Sequence, residues 1–299
     1  MERMSRLSVD RRVLRVGPTG ARQRPDRLAV EEPLELRING TAATVTMRTP
    51  GHDIELALGF LAGEGIIAGP EDVVNARHCA DTTTYNIIDV TLAREFERDT
   101  VVRSFATTSA CGVCGKESIE DVRVGGAFVL ADDAARIGVG TLLALPDLLR
   151  ERQRTFDRTG GLHAAALFDT EGRLLVVRED VGRHNAVDKV VGWALANGHR
   201  PGRGLVLQVS GRASFELVQK AYLAGIPMLS AVSAPSSLAV DLARDVDLTL
   251  AGFVRGDSLN LYSRPERVEL GETLAKDITA DEVATLPAEA HDHAPAEVR

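Results

Sequence analysis

From residue 163 to residue 263 the chain alternates between strand-like and helix-like segments, and this alternation constrains the fold more than any other feature. A hairpin turning about Asp169–Gly172 comes first, followed by the helical pattern "RHNAVDKVVGWALANG". Then "GLVLQVSG" and "PMLSAVSA" read as buried strands, each followed by a helix, and "LTLAGFVRGDSLNLYS" reads as one or two last strands. Such alternation predicts an α/β fold with helices on both faces of a sheet. Ligands of such folds usually bind at the turns that follow the strands.

The chain divides into two blocks with extensions at both ends. Residues 26–105 form an N-terminal α+β block with a hairpin turning at Asn39-Gly40 and a helix that Asp53 is expected to cap. Residues 120–272 form the α/β block, where "LPDLLRERQRTFDRTGG" reads as one helix ending at glycines. Residues 106–119 are a cysteine loop. Residues 1–25 are predicted to be a flexible basic arm, and residues 273–299 a loose acidic tail.

Composition excludes several functional classes. The net charge of -8 argues against a nucleic-acid surface, which needs clustered positive charge. No apolar run is long enough to span a bilayer, and the arginine-rich N-terminus does not read as a secretory signal. Three cysteines do not make a disulfide scaffold. We therefore expect a cytoplasmic protein, in whose reducing surroundings a C-x-x-C motif is more often catalytic or metal-binding than structural.

The segment "TTSACGVCGKES" places Cys111 and Cys114 in a C-x-x-C spacing among glycines. Half of a zinc site is one interpretation, but no second C-x-x-C or H-x-x-x-H supplies the remaining ligands; only Cys79 and isolated histidines could complete it. A thioredoxin-like disulfide would follow an early strand within a βαβ unit, whereas this motif lies between two blocks. Two surface cysteines without a role, and covalent carriage of a group on sulfur, are the remaining interpretations.

A second dense stretch, "REDVGRHNAVDK", lies between a strand and a helix. Its polar residues are Arg178, Glu179, Asp180, Arg183, His184, Asn185 and Asp188. Each residue alone is compatible with a solvated helix start, with Asp180 as cap and dipole partner. The cluster as a whole favours a polar pocket.

Two further stretches, "VSGRASFE" and "SAVSAPSSLA", each pass from a strand through small residues to a helix N-terminus. Free backbone N–H groups there bind anions, and Arg212 adds a bidentate donor. Neither stretch is a Walker or G-x-G-x-x-G motif. Together with Arg255 in "GFVRGDS" they predict a site for a large phosphorylated ligand.

His163 in "TGGLHAAAL" could line the same pocket. Zinc deaminases use an H-x-E motif followed by a P-C-x-x-C motif. Here Ala165 stands where the glutamate would be, and no cysteine pair follows, so deaminase chemistry is not expected.

Taken in order, "ACGVCGKESIE", "TGGLHAAALFD", "REDVGRHNAVDKVVG", "VSGRASFELVQKAYLAGIP", "SAPSSLAVDLA" and "GFVRGDSLNLYS" closely resemble the FdhD family of formate dehydrogenase accessory proteins, over roughly residues 26–265. The resemblance implies a homodimeric, cytoplasmic sulfur carrier, that is, a sulfurtransferase with a cysteine persulfide intermediate. Its partners would be a cysteine desulfurase as donor and formate dehydrogenase as client. The acceptor would be the molybdenum or tungsten bis(guanine dinucleotide) cofactor. The implied fold is cytidine-deaminase-like, a three-layer α/β/α arrangement with a mixed sheet and no structural zinc.

The resemblance also implies roles for particular residues. Cys111 would carry the sulfur, while the role of Cys114 stays open between relay, protection as a disulfide and help in forming the thiolate. The implied cofactor contacts are Phe253, Val254, Arg255, Gly256, Asp257 and Ser258. We assign Arg212 and His184 to the same pocket. Two other hypotheses compete with this one: a cofactor chaperone without sulfur chemistry, and a zinc-dependent hydrolase.

Overall fold

A computed structural model describes residues 7–79, 85–94 and 128–271 of the 299-residue chain. The strands are β1 Ser8–Gly17, β2 Gly20–Ala29, β3 Glu32–Ile38, β4 Thr41–Arg48, β5 Val73–His78, β6 Ile87–Leu92, β7 Ile137–Gly138, β8 His163–Asp169, β9 Leu174–Asp180, β10 Leu205–Val209, β11 Met228–Ala231, β12 Thr249–Arg255, β13 Ser258–Ser263 and β14 Val268–Glu269. The α-helices are α1 Asp53–Gly63, α2 Val139–Arg150, α3 Arg154–Thr159, α4 Arg183–Ala196, α5 Phe215–Leu223 and α6 Ser237–Asp245. Short 3₁₀ helices cover Pro70–Asp72, Leu130–Asp132 and Pro265–Arg267.

The central element is a six-stranded mixed sheet with the strand order β13-β12-β11-β10-β8-β9. Strands β10, β11 and β12 are parallel because a helix connects each to the next. The hairpin β8–β9 and the last strand β13 run antiparallel to their neighbours. The mixed α/β class and the hairpin about Asp169–Gly172 are thereby confirmed.

Alternate residues of each strand enter different cores. On β8, Ala165 and Leu167 belong to a large core that also contains the apolar faces of α1, α4, α5 and α6. Ala166 and Phe168 point the other way, into a smaller core with leucines of α2. Helices therefore cover both faces of the sheet, as the near-continuous apolar strands predict.

The N-terminal block forms a second sheet of order β4-β3-β6-β5, and helix α1 follows it. The predicted hairpin is present, with Asn39 and Gly40 both in the left-handed conformation that such a tight turn requires. The buried side chains of this sheet join the large core of the α/β block. Helix α1 packs along α4 through two glycines: a Cβ on Gly59 would lie 1.7 Å from the Asp188 carbonyl oxygen, and one on Gly192 would lie 1.8 Å from that of Glu55.

Three local expectations differ from the structure. Residues 8–29 form the antiparallel hairpin β1–β2 instead of a flexible arm, because the chain turns back at residues 17–20 and the segments on either side pair as strands. The helix expected before residue 160 is two helices, because the Glu179 carboxylate accepts hydrogen bonds from the backbone N–H groups of Thr155 and Phe156 and so starts α3 anew. Asp53 does not cap α1; its carboxylate is buried against the Arg48 guanidinium at 3.0 Å.

The expected strand "VVRSFATT" and the cysteine loop lie outside the described residues. Within the described ranges, no helix is both long and apolar enough to cross a membrane.

Candidate functional site

One edge of the six-stranded sheet gathers most of the predicted site residues. The parallel strands β10, β11 and β12 end there, β8 and β13 begin there, and β9 ends there. His163 therefore lies directly opposite Asp180, and Arg255 opposite Ser258. We call this the ligand edge: residues 180–184, His163, and the turns 210–214, 232–236 and 253–258.

Three helices begin at the ligand edge. Helices α4, α5 and α6 follow β9, β10 and β11 and have Gly182, Ser214 and Ser236 as N-caps. The Ser236 hydroxyl accepts a hydrogen bond from the Ala239 N–H, whereas Gly182 and Ser214 provide no side-chain cap. The first N–H groups of α4 and α5, with the positive ends of the helix dipoles, therefore face this edge.

Backbone hydrogen bonds hold the turns of the ligand edge side by side. The Ser233 N–H donates to the Gly211 carbonyl oxygen at 3.3 Å, and the Phe253 N–H donates to the Ser233 carbonyl oxygen at 3.2 Å. Phe253 has a left-handed backbone, with φ of 53°, inside an irregularity of β12. The three stretches that the sequence assigned to a phosphorylated ligand thus lie next to one another.

Arginines supply the charge of this edge. Arg212 and Arg255 are exposed, and the Arg255 guanidinium lies 5.9 Å from the centre of the Phe253 ring. Arg183, the first residue of α4, has a buried Nε atom without a hydrogen-bond partner. In the described part of the chain, none of these three guanidinium groups forms an ion pair with a carboxylate, so all three are available to an anion.

Two histidines lie between these arginines. His184 Nε2 is 2.7 Å from Glu216 Oε2 and 3.3 Å from the Ser214 hydroxyl oxygen. Burial lowers the pKa of His163, Coulombic interactions with Arg183 and His184 lower it further, and Asp180 acts in the opposite direction. The shift favours the neutral form of the His163 imidazole. The sequence analysis missed Glu216; its place two residues after the N-cap Ser214 is the signal for a carboxylate at a helix start.

The rest of the polar cluster 178–188 does not line one pocket. Arg178 pairs with Glu55 on α1 at 2.5 Å, and Asp188 pairs with Lys220 on α5 at 2.6 Å. Asp180 is fully buried, and its carboxylate lies 2.7 Å from the Lys189 ammonium. Asp180 also accepts a hydrogen bond from the Gly182 N–H just before α4, in part as the capping interpretation predicts. These ion pairs join different helices and strands, so Arg183 and His184 are the members of the predicted cluster whose side chains remain for a ligand at the ligand edge.

The predicted cofactor-contact stretch Phe253–Ser258 likewise contains both residues that are open to a ligand and a residue that is buried in the core. Arg255, Gly256, Asp257 and Ser258 form the exposed turn between β12 and β13, with Gly256 in the left-handed region. The Val254 side chain is fully buried in the core beside α2, so it cannot contact a ligand. The assignment of Val254 as a contact residue therefore does not fit its packing.

Cys111 and Cys114 lie outside the described residues. Among the residues that the structure does describe, no three His, Cys, Asp or Glu side chains converge as a metal-binding set. The ligand edge has the geometry of an anion site built from helix N-termini and arginines.

Residues 29–269 match the model of the FdhD/NarQ family. The chain belongs to the FdhD/NarQ family. A relative of this FdhD/NarQ protein from Mycolicibacterium paratuberculosis, named sulfur carrier protein FdhD, is 57% identical and covers 86% of this chain and 97% of its own. A relative of the same name from Nocardia farcinica is 55% identical over 88% of this chain and 95% of its own. The predicted family is therefore confirmed.

A solved structure has the same overall fold as this FdhD/NarQ protein. It belongs to a protein of Desulfotalea psychrophila assigned as a formate dehydrogenase accessory protein, and the TM-score is 0.70 at 25% sequence identity. The match covers 88% of this chain and all of that chain.

Proposed function

We propose that this FdhD/NarQ protein is a sulfur carrier that serves formate dehydrogenase. The proposal rests on the similarity, over 86–88% of this chain, to relatives named sulfur carrier protein FdhD, in a chain with the thiol pair Cys111 and Cys114. Cys111 receives sulfur from a cysteine desulfurase. The acceptor is the molybdenum or tungsten bis(guanine dinucleotide) cofactor of the client enzyme, bound at the ligand edge.

Loading is a thiol exchange at sulfur. The Cys111 thiolate attacks the terminal sulfur of the donor's persulfide, a new S–S bond forms, and the donor cysteine leaves as a thiolate. No electrons are gained or lost overall. The sequence places Lys116 two residues after Cys114, and a positive charge close to a thiol generally favours its thiolate form.

Delivery as sulfide needs two electrons, and the second thiol of the pair supplies them. The Cys114 thiolate attacks the inner sulfur of the Cys111 persulfide, a disulfide forms between the two cysteines, and sulfide leaves toward the acceptor. A cellular dithiol then reduces the disulfide and restores both thiols. The C-x-x-C spacing suits this cycle because it allows the two cysteines to exist both as free thiols and as a disulfide.

The ligand edge fits the phosphates of such an acceptor. Arg183, Arg212 and Arg255 have no carboxylate partner among the described residues, and two helix N-termini beside them lack a side-chain cap. Several phosphate groups of a dinucleotide pair could be neutralised at once by this arrangement. We further propose that the protein works as a cytoplasmic homodimer.

Intact-mass measurement after incubation with a cysteine desulfurase and cysteine tests the loading step. We expect one added sulfur atom on the wild-type chain and on the Cys79→Ala control, and none on Cys111→Ala. Cys114→Ser is expected to load but to release no sulfide when reductant is withheld. Equal addition of sulfur to Cys111→Ala and to the wild type would contradict the proposal.

The geometry of the ligand edge also favours a second candidate, a cofactor chaperone without sulfur chemistry, because an anion site alone suffices for it. Complementation distinguishes the two functions. In cells that lack the native protein, the chaperone function predicts that Cys111→Ala restores formate dehydrogenase activity fully. The sulfur carrier predicts that activity stays absent while the variant accumulates to the wild-type level.

A further inference from the structure

The hairpin β1–β2 is built as an extension of the fold. Its two ten-residue strands pair over their whole length, and the Val30 N–H donates to the Leu7 carbonyl oxygen at 3.0 Å, which continues the pairing at the open end. The hairpin meets the rest of the molecule where β2 packs against α3. An isolated two-stranded ribbon is marginally stable in water, so we expect a hairpin of this length to have a cover, that is, another segment that packs on it.

The charge of the hairpin specifies an anionic cover. Its 22 residues hold six arginines and two aspartates, a net charge of +4 in a chain whose total is -8. Arg15 lies directly opposite Arg22, and like charges in that position destabilise a strand pair. Both aspartates already pair within the hairpin, with Arg27 and Arg24. Neither Arg15 nor Arg22 contacts a carboxylate of the described residues.

The cover must also be partly apolar. Near the turn, Leu14 is 61% exposed and Val16 is 72% exposed. Side chains alternate along a strand, so these two share one face while Arg15 and Arg22 share the other. A segment that wraps the ribbon therefore needs carboxylates and aliphatic side chains in alternation.

The acidic tail, taken here with Glu272 at its start, has this composition. Residues 272–299 contain seven acidic and two basic residues, a net charge of -5, interspersed with Leu274, Ile278, Val283 and Leu286. The tail and residues 8–28 of the hairpin both lie outside residues 29–269, which match the family model.

The tail also begins close enough to reach the hairpin. It follows β14, which pairs with β7 at the start of α2. Helix α2 has 12 residues, about 18 Å, and leads to α3, which packs on β2. Twenty-eight residues can extend to roughly 90 Å. A tethered segment has an effective concentration on the order of millimolar, so modest attraction is enough for docking.

We propose that the acidic tail, residues 272–299, docks on the basic hairpin β1–β2 of the same chain. The tail carboxylates neutralise the face with Arg15 and Arg22, and its aliphatic side chains cover Leu14 and Val16. The inference does not depend on the proposed sulfur chemistry.

Carbodiimide coupling tests the contact in the full-length chain. The hairpin has no lysine, so Arg15→Lys with Arg22→Lys keeps its charge and creates coupling sites. Mass spectrometry of the peptides is expected to find amides from these positions to tail carboxylates, within monomers. Raising NaCl from 20 to 500 mM shrinks the screening length from about 20 Å to about 4 Å, and the yield should fall at least about fivefold.

Hydrogen exchange of the otherwise native chain provides the second measurement. Asp281→Asn, Glu282→Gln, Glu289→Gln and Asp292→Asn together should speed exchange in residues 8–29 and leave β10 unchanged. Couplings between two copies, or only to carboxylates outside the tail, would identify another occupant and overturn the proposal. Equal hairpin exchange in the wild type and the neutralised variant would overturn it as well.

Discussion

Glu55 and Arg178 form an ion pair that joins the N-terminal block to the central sheet. Arg178 Nε lies 2.5 Å from one oxygen of Glu55, and Arg178 Nη2 lies 2.7 Å from the other, which is the bidentate geometry of a strong pair. Burial opposes the ionisation of Glu55, but hydrogen bonds from Arg178 and His52 outweigh it and lower the pKa of Glu55 to about 2. The pair therefore couples stability to pH.

Replacing the Glu55 carboxylate should make the free energy of unfolding fall less steeply as the pH is lowered. The pKa of folded Glu55 is about 2, against 4.5 for the free group, so its contribution is complete above about pH 4.5 and is lost as pH falls toward 2. Linkage puts that contribution at about 3 kcal/mol at most. Urea unfolding at pH 6, 4 and 3 should show a smaller loss in Glu55→Gln than in the wild type.

The matched control is Glu171→Gln, which removes an exposed carboxylate paired with Arg173. Its effect should stay below about 1 kcal/mol, because exposed pairs contribute little. An unchanged slope with pH in Glu55→Gln would contradict the role given to the pair.

At the scale of elements, the periodicity of apolar residues predicts well those helices and strands in which buried positions recur at regular intervals. The strands and helices from His163 to Ser263 and the turn at Asn39-Gly40 follow from local patterns. The hairpin β1–β2 was missed because its six arginines among 22 residues give it the composition of a solvated arm and leave little apolar alternation. The break before α3 was missed because its cause, Glu179, lies 24 residues further along the chain. Local patterns do not contain such distant partners.

The contact of α1 with α4 gives a sharp prediction for helix packing. Gly59→Ala or Gly192→Ala places a methyl group less than 2 Å from a carbonyl oxygen of the facing helix, so the helices must separate. We expect each to destabilise the protein by about 2 kcal/mol or more in urea unfolding. Gly140→Ala is the control, because open space surrounds Gly140 in α2 and alanine favours a helix by up to about 1 kcal/mol. Equal midpoints for all three variants would refute the close packing.

At the scale of the whole molecule, the ligand edge could be predicted in outline. Parallel strands end at the same edge, so the stretches around Arg212, Ser233 and Arg255 had to meet there. The sequence could not separate ligand-facing residues from structural ones. Val254 belongs to the core, and Asp188 belongs to a buried ion pair with Lys220 on the next helix, α5.

The anion site predicts which arginines matter for a nucleotide ligand. Arg212→Gln and Arg255→Gln should each weaken binding of GDP by about tenfold or more, since a hydrogen bond to a charged group contributes about 1.5–3 kcal/mol. Calorimetry at two salt concentrations should also show that the affinity for GDP falls less with added salt in each variant than in the wild type. Arg173→Gln, in the turn at the opposite edge of the sheet, is the control. Undiminished affinity in both variants would remove the ligand edge as the binding site.

The two blocks of the chain are joined by buried polar contacts. The Thr49 N–H donates to the Asp180 carboxylate, the Lys189 ammonium donates to the Thr49 carbonyl oxygen, and Asn185 donates to the Met47 carbonyl oxygen. During synthesis, β4 leaves the ribosome before α4 exists. At 5–20 residues per second, the roughly 140 residues between them take about 7–28 s. For that time the nascent N-terminal block lacks these polar partners, and the face of α1 that packs on α4 has nothing to cover it.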